Sequence, residues 1–219
     1  MTANDRRVRA ATLLRELGHD FVARDVTDDV LDELIENVQS VLDRVRAAPL
    51  RERAIPHGAL LQFKMAVPVE GRVERHQLFA DSVVSGSANP MGLGADLWRE
   101  GEVAVMEVTL GKAFEGAPGR SHGGIVAALI DETMGLVLSL YGELAFTVQL
   151  DISYLAPTPI NQPITARAWL EERDGRKLSI RASVQSIDAV VAEASALFIA
   201  VDPKQFLGHH LETDERSHA

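Results

Sequence analysis

The sequence contains no cysteine. That absence excludes a disulfide framework, a cysteine nucleophile and zinc sites built on thiolates. Aromatic residues are scarce, at 5% of the chain, and positive charge is in the minority, with 22 lysines and arginines against 32 aspartates and glutamates. The net charge of −10 argues against a nucleic-acid partner, because nucleic acids are held largely through phosphate contacts with basic residues.

Long uncharged apolar runs are missing as well. The opening Met-Thr-Ala-Asn-Asp-Arg-Arg has no hydrophobic leader, and Asp131 and Glu132 interrupt the most apolar stretch. We therefore expect a cytoplasmic protein without a membrane span. With 219 residues, 46% of them hydrophobic and 25% charged, the chain is long enough for one sizeable core plus an extension.

Residues 1–55 predict a helical N-terminal extension. Thr27 is suited to start a helix there, and Pro49 follows its end. Apolar residues recur at three- and four-residue spacing between polar ones, at Val30, Leu31, Leu34, Ile35, Val38, Val41, Leu42 and Val45. Such a stripe must be covered, either by the main domain or by a partner chain. The extension is therefore a packing element, or a regulatory or docking element.

Residues 47–75 contain several prolines and glycines, which predict a linker and loop. Two strands are predicted next, at His76–Ala88 and Glu102–Leu110, of which the second alternates between its two faces. A turn cluster separates them at residues 88–94. At the other end of the chain, residues 204–219 are polar and predict a flexible tail.

The chain is organised around residues 119–140, where a glycine-rich turn leads into the most apolar segment. Its length of about five turns is typical of a helix, with Ser121 as the expected N-cap. Asp131 shares one face of this helix with four tiny residues, Gly124, Ala127, Ala128 and Gly135. Tiny side chains let a ligand or another element approach closely, and buried carboxylates are rare unless paired or functional.

Gly123 and Gly124 fall at the expected start of the same helix. Backbone N–H groups are unpaired there, and the helix dipole is positive at that end. Donors for a developing negative oxygen, with a carboxylate nearby, are the parts of a catalytic site. An ordinary turn followed by a solvated acidic pair explains the same residues, and the residues alone favour neither interpretation.

After the helix, a strand is predicted at Phe146–Tyr154. Three more follow at Ile164–Glu172, Leu178–Ile187 and Val190–Val201, the first two joined by Asp174-Gly175, a strong hairpin signal. Antiparallel strands before and after one long apolar helix predict an α+β fold, in which a curved sheet covers the helix.

His122-Gly123-Gly124, followed by an apolar helix with an acid nine residues after the histidine, resembles the hotdog-fold acyl-CoA thioesterases of the phenylacetate-pathway type. The resemblance covers residues 85–201. It includes, in order, Asn89-Pro-Met-Gly-Leu-Gly94, Phe114-Glu-Gly-Ala-Pro-Gly119, Tyr154-Leu-Ala-Pro157, Asp174-Gly-Arg-Lys177 and Ala194-Ser-Ala-Leu-Phe198. It implies a hotdog domain at residues 56–203, assembly as a homodimer or homotetramer, and hydrolysis of an acyl-CoA to a free acid and CoA without a cofactor.

The resemblance also implies roles for individual residues. Asp131 matches the acid that acts as general base or nucleophile. Gly123 matches the residue whose backbone N–H polarises the thioester carbonyl, and His122 matches a histidine at the site entrance. Thr147 matches a threonine that in some members completes the site from the second subunit. Glu132 is the rival acid, turned about 100° away from Asp131 on a helix.

Substrate contacts are expected at Gly124 and Asn89, and at three basic residues suited to the phosphates of coenzyme A, namely Arg120, Arg176 and Lys177. The sequence departs from the family pattern at Gly116, because many relatives have Asn or Gln six residues before the histidine. The departure weakens a mechanism that depends on that amide rather than the whole assignment. The seven histidines show no metal-ligand spacing, so no metal site is expected.

Two other functions fit the same fold, since a fold does not fix chemistry. A hotdog dehydratase or hydratase would use a histidine placed differently relative to its aspartate. A non-catalytic binding module for acyl-CoA or an acyl carrier would keep a vestigial Asp131 and bind thioesters without turnover. The acyl chain length, and the choice between CoA and a carrier protein, are open.

Overall fold

The computed structural model describes residues 2–51, 67–72 and 80–202. The helices are α1 (Ala3–Ala23), α2 (Asp28–Arg46) and α3 (Gly123–Leu140), with a 3-10 turn at Lys112–Phe114. The strands are β1 (Asp96–Glu100), β2 (Val103–Thr109), β3 (Glu115–Ala117), β4 (Arg120–Ser121), β5 (Ala145–Tyr154), β6 (Pro163–Asp174), β7 (Lys177–Gln185) and β8 (Val190–Ala200). The predicted tail at residues 204–219 lies outside the described residues.

Within the described residues, six strands form one antiparallel sheet in the order β1-β2-β6-β7-β8-β5. Strands β6, β7 and β8 follow one another closely, and the β6–β7 turn uses the left-handed conformation of Gly175 (φ +57°). β5 directly follows α3 but takes the edge beside β8. β3 and β4 form a separate hairpin just before α3.

The core lies between α3 and one face of this sheet. Alternate residues of the strands point at the helix and are buried, among them Ile164 and Ala166 on β6 and Leu178 and Ile180 on β7. The helix contributes the buried residues Val126, Leu129, Ile130, Thr133, Met134, Leu136, Val137, Leu138 and Ser139. Each large aliphatic side chain buried in this way stabilises the fold by about 1.5–3 kcal/mol. The predicted α+β hotdog fold is confirmed.

Among the described helices, α3 is long and apolar enough to span a membrane by length and composition alone, with a mean hydropathy of 1.6. Half of this segment is buried inside the fold, however, and α3 packs on β2, β5, β6 and β7. Its apolar character is therefore accounted for by its place as the core helix.

One predicted strand is wrong, and one observed strand was not predicted. Residues 80–88 of the strand predicted at 76–88 form turns, while residues 76–79 lie outside the described residues. The chain folds back too tightly for a strand there, since the Ala88 N–H donates to the Ala80 carbonyl at 2.8 Å. A Cβ on Gly86 would lie 2.3 Å from the Ser82 carbonyl oxygen. Conversely, β1 was not predicted, because its five residues lack a clear alternation and depend on pairing with β2.

The N-terminal region is helical, as predicted, but it forms two helices. α1 starts with a capping box between Thr2 and Asp5, and it buries Ala11. α2 buries none of its residues, and the stripe is exposed at Val30, Ile35, Val38, Val41 and Val45. Within the described residues, the main domain therefore leaves most of the stripe uncovered, and a partner chain stays a prediction.

Candidate active site

The start of α3 is built by His122, which takes the N-cap position that was predicted for Ser121. The backbone of His122 is extended (φ −65°, ψ 133°), and its Nδ1 accepts the Gly124 N–H at 3.0 Å. Ser121 belongs to β4 instead, where its N–H donates to the Thr158 carbonyl at 2.8 Å.

Gly123 is the first residue of α3 and presents a free donor. Within the described part of the chain its N–H has no hydrogen-bond acceptor. Its carbonyl accepts the Tyr154 hydroxyl at 2.8 Å, which fixes the start of α3 to the end of β5. A Cβ at Gly123 would lie 3.3 Å from the Tyr154 hydroxyl oxygen, so a small residue suits this position. The donor lies at the positive end of the helix dipole.

Asp131 lies on the predicted strip of tiny residues, and that strip is open. Gly124 is exposed, and Ala127, Ala128, Asp131 and Gly135 are only half-buried, although they belong to the core helix. The Thr147 hydroxyl of the same chain donates to Asp131 Oδ1 at 3.0 Å. The carboxylate is thus oriented by one side chain and remains accessible to a ligand or to another chain.

Glu132, the rival acid, points elsewhere and holds a loop. Its carboxylate accepts the Ser82 hydroxyl at 2.5 Å, the Ser85 N–H at 3.1 Å and the Ser85 hydroxyl. These contacts tie the turn-rich segment at residues 80–88 to the middle of α3. The adjacent acids therefore have different surroundings, and Glu132 is engaged in structure.

An open groove of about 370 Å³ runs along the N-terminal end of α3. Gly123 and Tyr154 line it, and the exposed Arg120 lies at its edge. The remaining lining residues are mostly small or apolar: Ser121, Val126, Leu155, Ala156, Pro157 and Thr158. An apolar groove with one cation and the free Gly123 N–H suits a thin, partly apolar ligand that carries negative charge.

Three predicted substrate-binding residues lie apart from this groove in a single chain. Asn89 uses its side chain within its own turn, accepting the Met91 N–H at 2.9 Å and donating to the Asp81 carbonyl at 3.3 Å. Arg176 and Lys177 lie at the β6–β7 turn, where β8 pairs Lys177 through Ile199. The groove lies at the other end of β8, seven residues along the strand, which corresponds to a distance of about 23 Å.

Gly116 explains the departure from the family pattern. A Cβ there would lie 2.7 Å from the His122 Cα and 3.0 Å from its Cβ. The β3–β4 hairpin therefore packs directly on the N-cap residue, and a larger side chain has no room in this arrangement. Elsewhere in the described residues, no group of three or more His, Asp or Glu side chains is suited to a metal.

Two parts of the site were not found by sequence reasoning. The contact of Tyr154 with Gly123 joins residues 31 positions apart, and the serine partners of Glu132 lie about 50 positions before it. Neither contact follows from local spacing. Tyr154 is part of a stretch shared with the family, which does not indicate its contact, and the two serines lie in the stretch predicted as a strand.

Comparison with known proteins finds that the central part of the chain is similar to thioesterases. Residues 119–193 match the thioesterase superfamily. Over 97 residues the chain is 38% identical to the acyl-coenzyme A thioesterase THEM4 of Mus musculus, which covers 43% of this chain and 42% of that protein. Over 91 residues it is 33% identical to the acyl-coenzyme A thioesterase THEM5 of Homo sapiens, covering 41% of this chain and 37% of that one.

The chain thus spans about two fifths of the length of these curated relatives. A solved structure, protein RHA08564 of the thioesterase superfamily, matches over a longer range, with a TM-score of 0.73 and 25% identity. That match covers 88% of this chain and 90% of the other. A share this large extends beyond the domain predicted at residues 56–203, so part of the N-terminal helical region has a counterpart in that structure.

Proposed function

Because residues 119–193 match the thioesterase superfamily and the fold is the hotdog fold, we propose that this protein hydrolyses the thioester of an acyl-CoA to a free carboxylic acid and CoA. The observation that carries the proposal is the accessible carboxylate of Asp131, which lies on the core helix and is oriented by a hydrogen bond from Thr147. The first N–H of the same helix is free. The names of the curated relatives support the substrate class.

In the proposed reaction, the Gly123 N–H donates to the thioester carbonyl oxygen and stabilises the charge that develops there. Asp131 removes a proton from a water molecule held with Thr147, and the water oxygen adds to the carbonyl carbon. The tetrahedral intermediate then expels the CoA thiolate, which takes the proton from Asp131. Direct attack by Asp131 through an anhydride is the alternative route to the same products. A thioester is already activated, so neither route needs a metal.

The positions of these groups favour a site shared between two copies of the chain. Gly123 and Asp131 are eight residues apart on one helix, which separates their Cα atoms by about 12 Å. The Asp131 side chain points back toward the helix start and shortens this gap only in part. A donor to the carbonyl oxygen and a base acting on the attacking water lie within roughly 8 Å of each other, since each is one hydrogen bond from the reacting atoms. We therefore place Gly123 of one copy opposite Asp131 and Thr147 of another.

The edge strand β5 supplies a surface for that assembly. Nine of its ten residues pair with β8 on one side, with an irregularity at Val148, and on the other side no strand pairs with it in the described part of the chain. Val148 is 63% exposed and Phe146 is 47% exposed on this strand. A long edge with apolar side chains is normally covered. Pairing of β5 with a second β5 would cover it and bring the two α3 helices together, consistent with the expected homodimer or homotetramer.

The groove beside Gly123 is the proposed approach for coenzyme A. Arg120 at its edge would contact a phosphate, and Gly124 allows the ligand close to the helix start. Asn89, Arg176 and Lys177 remain predicted contacts, which in one chain lie away from this groove. His122 is assigned to the entrance, where it caps the helix. The cytoplasmic location remains part of the same proposal.

The proposal is tested by thiol release from acyl-CoA substrates of increasing chain length and from phenylacetyl-CoA. We expect Asp131→Asn to lower kcat by about 10²–10⁴-fold while the thioester still binds. Saturable binding without turnover by the wild type would reject hydrolysis and favour the binding module. Conversion of an enoyl or hydroxyacyl thioester without thiol release would favour the hydratase or dehydratase.

Gly123 permits a second, sharper test. Proline at the first position of a helix is well tolerated and has no N–H, and the extended His122 backbone suits a residue before proline. We expect Gly123→Pro to lower kcat by about 10²–10³-fold, the effect of losing one oxyanion donor. Gly123→Ala is the matched control, because it adds a Cβ beside Tyr154 but keeps the N–H. Equal rates for the two variants would contradict the assigned role.

A further inference from the structure

Helix α1 docks on the segment that leads into α3. The His19 ring packs edge-on against Phe114, with 4.9 Å between ring centroids and 78° between planes. Its Nδ1 accepts the Ala113 N–H at 3.1 Å. One side chain of α1 therefore contacts both the backbone and a side chain of the 3-10 turn.

The main domain is shaped to receive this ring. A Cβ on Gly111 would lie 2.6 Å from His19 Nδ1, and the three atoms nearest to that Cβ all belong to the His19 ring. Gly111 has a φ of −90°, which any residue adopts, so its backbone does not require glycine. The close approach of His19 does. Arg15 adds a second anchor by donating to the carbonyls of Ser87 at 3.1 Å and Asn89 at 2.7 Å.

The 3-10 turn also holds the start of α3. The Phe114 carbonyl accepts the His122 N–H at 2.8 Å. The hairpin between them is closed by Glu115, which accepts from Lys112 at 2.8 Å and from the Gly119 N–H at 2.5 Å. A short chain of contacts thus runs from His19 through Phe114 to His122, whose peptide bond contains the Gly123 N–H.

We propose that His19 is a positioning residue for thioester hydrolysis: seated on Gly111 and Phe114, it fixes the turn that holds His122 and so sets the direction of the Gly123 N–H. The inference rests on the proposed function, and it gives α1 a part in the catalytic site from outside residues 119–193. An oxyanion donor acts only over a narrow range of positions, so a brace on its support affects the transition state more than substrate binding.

The protonation state of His19 agrees with this geometry. Burial, followed by the nearby Arg15, lowers the pKa of His19, while Asp20 raises it. The imidazole is therefore neutral at neutral pH and can accept the Ala113 N–H.

A double-substitution cycle in the full chain tests the proposal. His19→Ala removes the ring, and Gly111→Ala displaces it from the opposite side. We expect each to lower kcat about tenfold while KM changes less than about threefold, the pattern for an interaction that matters in the transition state. The double variant should be no worse than His19→Ala, because the added Cβ then meets no ring. Gly18→Ala is the matched control, since a Cβ there has nothing within 4 Å.

Amide hydrogen exchange separates this inference from the proposed function. Faster exchange at both Ala113 and His122 in His19→Ala, in a protein that still melts cooperatively, supports the brace, even if the wild type hydrolyses no thioester and the proposed function fails. Faster exchange at Ala113 alone, with His122 and kcat unchanged, overturns it. Additive losses in the double variant also overturn it, because they would mean that Gly111 and His19 act separately.

Discussion

Asp131 and Glu132 are neighbours in the sequence, but their carboxylates have different surroundings. Asp131 has one hydroxyl partner on an open strip, whereas Glu132 accepts three hydrogen bonds from Ser82 and Ser85. We expect Glu132→Gln to lower the free energy of unfolding by about 1–3 kcal/mol, because it leaves donors in that loop unpaired. Chemical denaturation measures the loss, and kcat should stay within a few-fold of wild type. A stable Glu132→Gln protein without turnover would reverse the assignment of the two acids.

Gly116 offers a test in which restoring the residue of many relatives should do harm. In Gly116→Asn the Cβ would meet the His122 backbone at 2.7 Å, so the hairpin or the N-cap must move. We expect the free energy of unfolding to fall by about 1–3 kcal/mol and kcat to fall with it, as measured by denaturation and thiol release. A variant with wild-type stability and faster turnover would show that the hairpin yields easily and that the amide still contributes.

For single residues, the sequence predicted the positions that are set by one helix alone. The spacing from Gly123 to Asp131 placed a donor at the start of α3 and a carboxylate on its strip of tiny residues, and both placements agree with the structure. The contacts of Glu132 and Tyr154 reach distant segments, so local spacing held no signal for them. The N-cap was wrong by one residue because Ser121 is held by pairing with Thr158, a non-local contact.

Among the elements, α1 should respond to pH through His19. The charged groups that act on the pKa of its ring are Asp20 and Arg15, both on α1. On the facing element, Lys112 of the 3-10 turn is paired with Glu115. Because the folded-state pKa is lowered below the ordinary value of about 6.5, the unfolded chain binds more protons between the two values. The stability from this contact is therefore complete above the ordinary pKa and is lost as the pH falls through the folded-state pKa.

We accordingly expect the melting temperature of the wild type to fall more than that of His19→Phe between about pH 7.5 and about pH 5.5. His19→Phe keeps a ring against Phe114 but does not titrate, and the other histidines are common to both proteins. Parallel curves for the two proteins would mean that His19 does not couple to docking of α1.

Most elements were predictable because their burial pattern is local. Alternation identified β2 and the strands after α3, and the glycine in the β6–β7 turn identified the hairpin. The order of strands in the sheet was not predictable, since β5 reaches the edge beside β8 through contacts far along the chain. The turn-rich residues 80–88 were misread because small and β-branched residues also suit a tight loop held by Glu132.

For the whole molecule, the separation of Gly123 from Asp131 on one helix means that the proposed mechanism depends on how the chains assemble. If each site takes its donor from one copy and its base from another, two inactive variants can complement each other. Coexpressed Asp131→Asn and Gly123→Pro chains would form mixed dimers with one intact site and one doubly damaged site. Random pairing at equal amounts then restores about a quarter of wild-type activity per chain.

Complementation depends on exchange between copies, so the control mixes the two purified homodimers without unfolding and should show only residual activity until they exchange. If both groups served the same carbonyl within one chain, every site in a mixed dimer would lack either the donor or the base, and activity would stay at the level of the single variants. Recovery near a quarter, with dimer mass confirmed by light scattering, would therefore establish that the second chain belongs to the catalytic site as well as to the assembly. Failure of purified mixed dimers to recover activity would contradict the shared site even if the wild type is a stable dimer.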